Sequence, residues 1–320
     1  MFTAGGDTTN SHERAIRLCD EGKIPVINLA GFLFGNGFRE LTNDELKQVL
    51  QRLMQSARQG DSQAIQLCME FITFRIQHEN RERSTGSFLD DPETLEIVWE
   101  TVEKQEYRKH NESYGYRLEQ ILLSLADHDL DRVAKLASWA LIHDDFRIVD
   151  TCQKVISKLA ENCPEKIMAH LGRAFMDADR SYPRFSVGGE YRDLIVAFPP
   201  EVVISWITTN GVEAARQIAG HLYPPFVDSE GNTVVSPLTE FLLSEFESDD
   251  NVFENFKDGA GNLRFQSGDI AAKYDERVRA AKKFLSHRLR RVREWAQHEI
   301  SDASLMAESW RQIQEERELL

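Results

Sequence analysis

Apolar residues recur along this chain at helical spacing, in stretches of about 12–15 residues that stop and restart at polar breaks. In Leu41-Thr42-Asn43-Asp44-Glu45-Leu46 the start signal is complete. Thr42 caps, Glu45 reaches back to close a capping box, and Leu41 staples onto Leu46. The residues that follow put Leu46, Val49, Leu50 and Leu53 on one face, a period of about 3.6. Gly60-Asp61 restarts the chain, and Ala64, Ile65, Cys68, Phe71 and Ile72 form the next stripe, so the two stretches read as an αα-hairpin with a short turn.

The pattern continues downstream. Residues 80–91 are polar and read as a loop, and Asp91-Pro92 is a restart, an N-cap followed by proline at the first helical position. The helix it opens carries Leu95, Val98, Trp99 and Val102. Further helices are predicted over 114–126, 130–142, 146–160 and 164–176. Residues 177–192, with Tyr182-Pro183 and Gly188-Gly189, form the longest helix-poor stretch. Short helices then resume over 200–208, 212–222, 237–246 and 251–256, and the end of the chain reads as three more, over 270–285, 289–300 and 304–319. Around Gly231-Asn232 apolar and polar residues alternate, which allows one small β-hairpin near 226–235, the only strand content expected. The segment before Ala15 reads as unstructured, the ragged start of a domain cut from something larger.

Short helices joined by two- or three-residue turns are the mark of antiparallel helix stacks. Pairs recur about every 35–45 residues, the period of two-helix solenoid units, and such a unit buries its apolar face only against its neighbours. The expected fold is therefore all-α: stacked antiparallel helix pairs, an α-solenoid of the HEAT or TPR kind. It has N-terminal repeats over 1–176 and C-terminal repeats over 177–320, continuous as one solenoid. A single globular helical bundle is the competing architecture. The solenoid is preferred because no predicted helix is long enough to anchor a large bundle.

Composition narrows the class. The 320 residues suffice for two average domains or one elongated array. No apolar stretch approaches the roughly 18 residues of a spanning helix, and the richest run, 24–34, is broken by Pro25, Asn28 and Gly31. The first residues lack a basic region followed by an apolar one, so they do not read as a secretory signal and a cytoplasmic setting is expected. Cys19, Cys68, Cys152 and Cys163 are far apart, form no C-x-x-C pair and read as reduced, structural thiols. With 53 acidic against 38 basic residues the formal charge is −15. Such a chain repels nucleic-acid phosphate unless it segregates a basic face.

One segment carries a family resemblance. In Ser286 through Ile300, Val292-Arg293 is followed by the small Ala296 and then by the apolar Ile300, a pattern that resembles the second helix of a HEAT repeat. Ala280-Ala281-Lys282-Lys283-Phe284-Leu285 fits the first helix of the same unit. The aspartate that usually precedes the second helix is replaced by Ser286-His287. Residues 224–256, with PPFVD, GNTVVSPLTEFLLSEF and DDNVFENF, resemble the C-terminal α-solenoid tails of large bacterial NTPases, many tied to anti-phage defence. The resemblance covers the last third of the chain. It implies a nucleotide-binding or nuclease part on another chain or in a longer precursor, since no G-x-x-x-x-G-K-[ST] occurs here.

Candidate chemistry is sparse. Gly5-Gly6, Gly31-x3-Gly35-x-Gly37 and Gly259-x-Gly261 follow no strand-to-helix pattern and read as turns. There is no H-E-x-x-H and no G-x-S-x-G. His110, His128, His143 and His170 are separated. His128 and His143 stand beside aspartates, as in a hydrolase centre, but also flank helix ends where aspartate caps the next helix. The sharpest feature is basic: Arg277, Arg279, Lys282, Lys283, Arg288, Arg290, Arg291 and Arg293 gather in an otherwise acidic chain. They form either a docking patch for phosphate or an acidic partner, or a solvated helix pair with Arg293 structural. If the patch is functional, Lys282, Lys283, Arg288, Arg290, Arg291 and Arg293 are the partner-binding residues, with a protein favoured over nucleic acid. The final helix, with Leu305, Met306, Trp310 and Ile313, either caps the stack or docks another subunit.

The reading favoured is a non-enzymatic scaffold or sensor, without metal, cofactor or membrane. It binds a protein partner, an NTPase or nuclease subunit, within a bacterial defence system. A nucleic-acid-binding solenoid using 277–293 and an enzyme with a dispersed helical site are the alternatives.

Overall fold

Local capping and turn chemistry sets most of the helix boundaries. The computed structural model describes residues 8–36, 41–82, 87–103, 114–143, 146–177, 190–261 and 269–318. Within them the chain is all-α with one small hairpin, and neighbouring helices pack on one another. Contacts divide it into two compact units, Met1–Leu136 with Asp144–Val155, and Ala137–His143 with Ile156–Leu320.

In the first unit run α1 (Thr8–Asp20), α2 (Val26–Asn36), α3 (Asn43–Arg58), α4 (Ser62–Glu82), α5 (Pro92–Glu103) and α6 (Tyr114–Ala126), with a 3₁₀ turn at Phe88–Asp90. Thr42 Oγ1 accepts from the Glu45 N–H, and Glu45 Oε2 accepts from the Thr42 N–H at 2.8 Å, so the expected capping box is formed. Asp91 caps α5 through the Thr94 N–H at 2.9 Å, and the Thr94 bonds hold its carboxyl below the usual carboxylate range. The α3–α4 hairpin buries Leu50, Leu53, Phe71 and Ile72, with α5 against α3 and α6 against α4. Helices α7 (Leu130–His143) and α8 (Phe146–Ala160) contribute residues to both units. At the start of α7, Arg132 lies 4.2 Å over the buried Trp99 ring and pairs with Glu103 at 2.8 Å.

The second unit holds α9 (Pro164–Asp177), α10 (Glu190–Val196), α11 (Pro200–Ala219), α12 (Pro237–Glu245), α13 (Asp250–Gly261), α14 (Ile270–Lys282) and α15 (Arg290–Glu318). Strands β1 (Phe226–Val227) and β2 (Thr233–Val234) pair antiparallel, Phe226 opposite Val234, as the alternation predicts. Their loop is tied by Asp228, whose carboxylate accepts from the Asn232 N–H at 2.8 Å and the Glu230 N–H at 3.0 Å. Helix α11 packs on α9, α12 and α13, and α14 on α15. Gly211, at φ 75° and ψ −158°, breaks α11 into the two segments read from the sequence. Ahead of it, Thr208, Thr209 and Asn210 side chains donate back to the carbonyls of Ile204, Ser205 and Trp206, satisfying the last turn of the first segment.

Several expectations are corrected. Helix α15 runs unbroken for 29 residues through Ser301-Asp302-Ala303-Ser304, where a restart was expected, and α4 runs for 21. Val292, Trp295, Ala296, Glu299, Ala303 and Ala307 are all buried at helical spacing, and this stripe carries the helix across residues that also suit a cap. The premise that no helix is long therefore fails. Residues 8–14, expected to be unstructured, are helical, and α1 packs on α2 while burying Ala15 and Ile16. Residues 80–82, read as loop, complete α4, and 190–192, read as helix-poor, open α10. Most of the remaining 177–192 stretch, with Gly5, Gly6, Gly37 and His110, lies outside the described residues.

The glycines read as turns are partly helical: Gly31 and Gly35 lie in α2, Gly259 and Gly261 in α13. Burial of Leu29, Ala30 and Leu33 outweighs glycine's cost of about 1 kcal/mol in α2. Gly259 has a positive reason: its Cα faces the Gly220 carbonyl at the end of α11, and a Cβ there would overlap that backbone. Two glycines thus let α11 and α13 approach at backbone distance. Gly259→Ala is expected to destabilise the second unit by about 1–3 kcal/mol through this overlap. A urea titration checks it, the midpoint falling at unchanged m-value.

Candidate functional site

The basic cluster is the first place to look for a site, and most of its cations are bonded to groups of their own unit. Lys283, one residue beyond α14, donates to the Gly231 carbonyl at the hairpin tip at 3.1 Å. Arg288, in the α14–α15 connection, pairs with Glu240 of α12. Arg290 bonds Glu247 Oε1 and Glu294 Oε1, each at 3.0 Å. Arg291 uses all three guanidinium nitrogens, on the Glu247 carbonyl (2.8 Å), Glu294 (2.8 Å) and Asp250 (2.6 Å), with its head 4.6 Å above the Phe253 ring. It is 7% exposed. Arg293 turns back to the carbonyls of His287 (2.7 Å) and Arg288 (3.1 Å), the structural part read for it in the sequence. Arg277 pairs with the buried Glu299 at 2.6 Å. Of the six singled out, Lys282 alone has no partner among the described residues, and it is exposed.

These cations therefore join the α14–α15 pair to the hairpin, to α12 and to the start of α13. The connection itself depends on His287, whose Nδ1 accepts from the Leu289 N–H at 3.2 Å, just ahead of α15. Burial, and then the nearby Arg293 guanidinium, holds this imidazole below its ordinary value.

Two open grooves lie in the second unit. The first, of about 460 Å³, runs between the hairpin and the last two helices. Pro225 and Phe226 form one wall, Ala280 and Ala281 the other, and Trp295 the floor, with the Arg277–Glu299 pair at its edge. Phe226 is 48% exposed beside it. The second, of about 450 Å³, lies between α9 and α11. Its centre is Trp206, whose indole lies directly on Gly172 of α9, where any Cβ would collide with the ring. Met168 and Met176 lie along it, and Glu165 and Arg173 stand at its rim, both exposed and both without a partner among the described residues. Sequence reading missed this groove. Trp206 falls within the helix predicted over 200–208, and the helix it faces is about 30 residues away in the chain.

His128 lies in the turn before α7, where Asp129 caps by accepting from the Arg132 N–H at 3.0 Å. The side chain of His143 and residues Asp144 and Asp145 lie outside the described residues. Among the described residues, no three of His, Cys, Asp or Glu are grouped so as to hold a metal ion, and no helix is long and apolar enough to cross a membrane. The chain matches no protein-family model, no curated protein and no solved structure.

Two predictions test the cluster. Arg291→Ala is expected to lower stability by roughly 1–3 kcal/mol, because a nearly buried guanidinium with three bonds is lost. Arg290→Ala, at a side chain 49% exposed, costs less than about 1 kcal/mol. Paired denaturation curves give the order. Acidification is the second. The folded His287 binds its proton less readily than an unfolded imidazole of ordinary value 6.5, so the unfolded chain takes up the proton first as pH falls. Its contribution is fully present above that value and is lost towards the lower, folded one. Melting curves of the protein and of His287→Asn, which keeps an acceptor for the Leu289 N–H without titrating, are expected to run parallel above pH 6.5 and to diverge below it, the unsubstituted protein falling faster.

Proposed function

We propose that this chain is a non-enzymatic helical-repeat module of the HEAT kind that binds another protein. In this reading it is the scaffold or sensor part of a bacterial defence system, cytoplasmic, with an NTPase or nuclease component as partner. The observation that carries the protein-binding part is the internal neutralisation of the basic cluster. Four arginines and Lys283 already bond carboxylates or carbonyls of their own unit. A phosphate backbone would have to displace those bonds, which offsets the electrostatic gain that drives nucleic-acid binding. The groove beside the cluster combines Pro225, Phe226, Ala280 and Trp295 with the charged Lys273, Glu276, Arg277 and Glu299, the mix of apolar and polar groups found at protein interfaces. The repeat reading rests on packed neighbouring helices and on the Val292-Arg293, Ala296, Ile300 pattern. There Val292 and Ala296 are buried and Arg293 binds the preceding loop. The defence setting rests on the resemblance of residues 224–256 alone.

Purification of the tagged chain from its native cells, with mass spectrometry and the nucleic-acid content of the eluate recorded, tests the proposal. A stoichiometric protein partner that survives nuclease treatment is the expected result. Nucleic acid retained in a salt-dependent way, and lost in a variant with Arg279→Glu and Lys282→Glu, would favour the alternative instead. Those two exposed cations are chosen because reversing Arg291 or Arg293 would break the unit.

A further inference from the structure

We infer that the groove beside the hairpin receives an extended segment of the partner, which adds to the hairpin as a third strand along the outer edge of β1. This rests on the protein-binding reading and names the site and the form of chain that binds there. Among the described residues the sheet has two strands, so β1 is paired by β2 on one side and has an open edge on the other. The Asp228 N–H donates to the Asn232 carbonyl at 3.0 Å, and bonded and non-bonded pairs alternate along an antiparallel ladder. Phe226 and Val234 therefore exchange the bonds across the hairpin, while the N–H and carbonyl of Val227 point outwards. Neither group has a partner among the described residues. Strand β1 lines the groove and β2 does not, so the open edge borders it.

The α15 side of the groove carries a second, independent set of unmatched groups. Trp295 is 4% exposed, and its indole Nε1 makes no hydrogen bond among the described residues. One turn further along, Glu299 is 7% exposed and gives Oε1 to Arg277 at 2.6 Å. Its Oε2 accepts no hydrogen bond among the described residues. A donor and an acceptor this deeply set are costly to leave unmatched. An extended chain carries N–H and carbonyl groups in alternation along both edges, so one edge pairs with Val227 while the other faces α15. A helix, whose backbone bonds are internal, offers neither. Arg277 with Glu299 and Arg279 with Glu276 pair within the unit, so the bound segment needs no charge of its own. Ala280 and Ala281 leave room for an apolar side chain beside Phe226.

Selection of a random peptide display library on the purified chain tests this without knowledge of the partner. N-methylation along an enriched peptide is expected to weaken binding at alternate positions, the mark of a strand. Val227→Pro deletes the outward N–H and leaves the bonds to β2, since an edge strand tolerates proline where its N–H faces away. Trp295→Phe deletes the indole N–H and keeps a ring in the core. Peptide affinity is expected to fall about tenfold in the first variant and about threefold or more in the second. Where Trp295→Phe fails to fold, Val227→Pro decides alone. Failure to enrich any peptide, or peptides that bind Val227→Pro as tightly as the unsubstituted chain, overturns the inference. The same variant separates it from the broader proposal. A cellular partner held equally by Val227→Pro removes this edge as the site and leaves protein binding standing.

Discussion

A helix of a dozen residues with a single apolar stripe is marginal in water, since its nucleation cost is recovered only when the stripe is buried. That constraint shapes every element here. Helix α3 has its capping box and its acidic first turn, but those contribute only about 1 kcal/mol or so. What holds it is Leu46, Val49, Leu50 and Leu53 buried against α4 and α5. Helix α2 forms despite two glycines for the same reason, and α15 passes through a serine–aspartate–serine stretch because Ala303 and Ala307 continue the stripe begun by Val292. Propensity decides where helices start. Burial decides which local stop signals are overridden, as at Ser304.

The same distinction explains what could be read beforehand. The Thr42–Glu45 box, the Asp91 cap, the break before Val212 and the hairpin around Gly231 are local. Each is fixed by residues within four or five positions of one another, and each was legible. The continuity of α15 was not. The signal that ends a helix at Ser304 is local, while the signal that overrides it is the packing of α14 against α15, supported by the Arg311–Asp275 pair. Gly259 is a second case. Nothing in the sequence distinguishes a glycine in a turn from one that lets two helix backbones touch, and only the position of Gly220 decides it.

The basic cluster shows the limit for function. Eight cations within seventeen residues look like an outward patch when read along the chain. Their partners Glu240, Glu247 and Asp250 lie about 40 residues upstream, and the fold brings them together. The arginines are then linkers between the C-terminal helix pair and the elements before it. This arrangement suits Arg rather than Lys, because the forked head of Arg291 reaches two carboxylates and a carbonyl while stacking on Phe253.

That internal neutralisation changes which surface charges mean something. In a chain of net charge −15, most cations of the cluster find carboxylates or carbonyls within their own unit, while Lys282 has no partner among the described residues. Arg173 likewise has no partner among the described residues. It sits one residue beyond the glycine that seats Trp206, on a helix whose other face is packed by Ile167, Leu171 and Phe175. The buried face of α9 is determined by the core of its unit. On its other side Trp206 of α11 covers Gly172, a contact that leaves no room for a Cβ on α9.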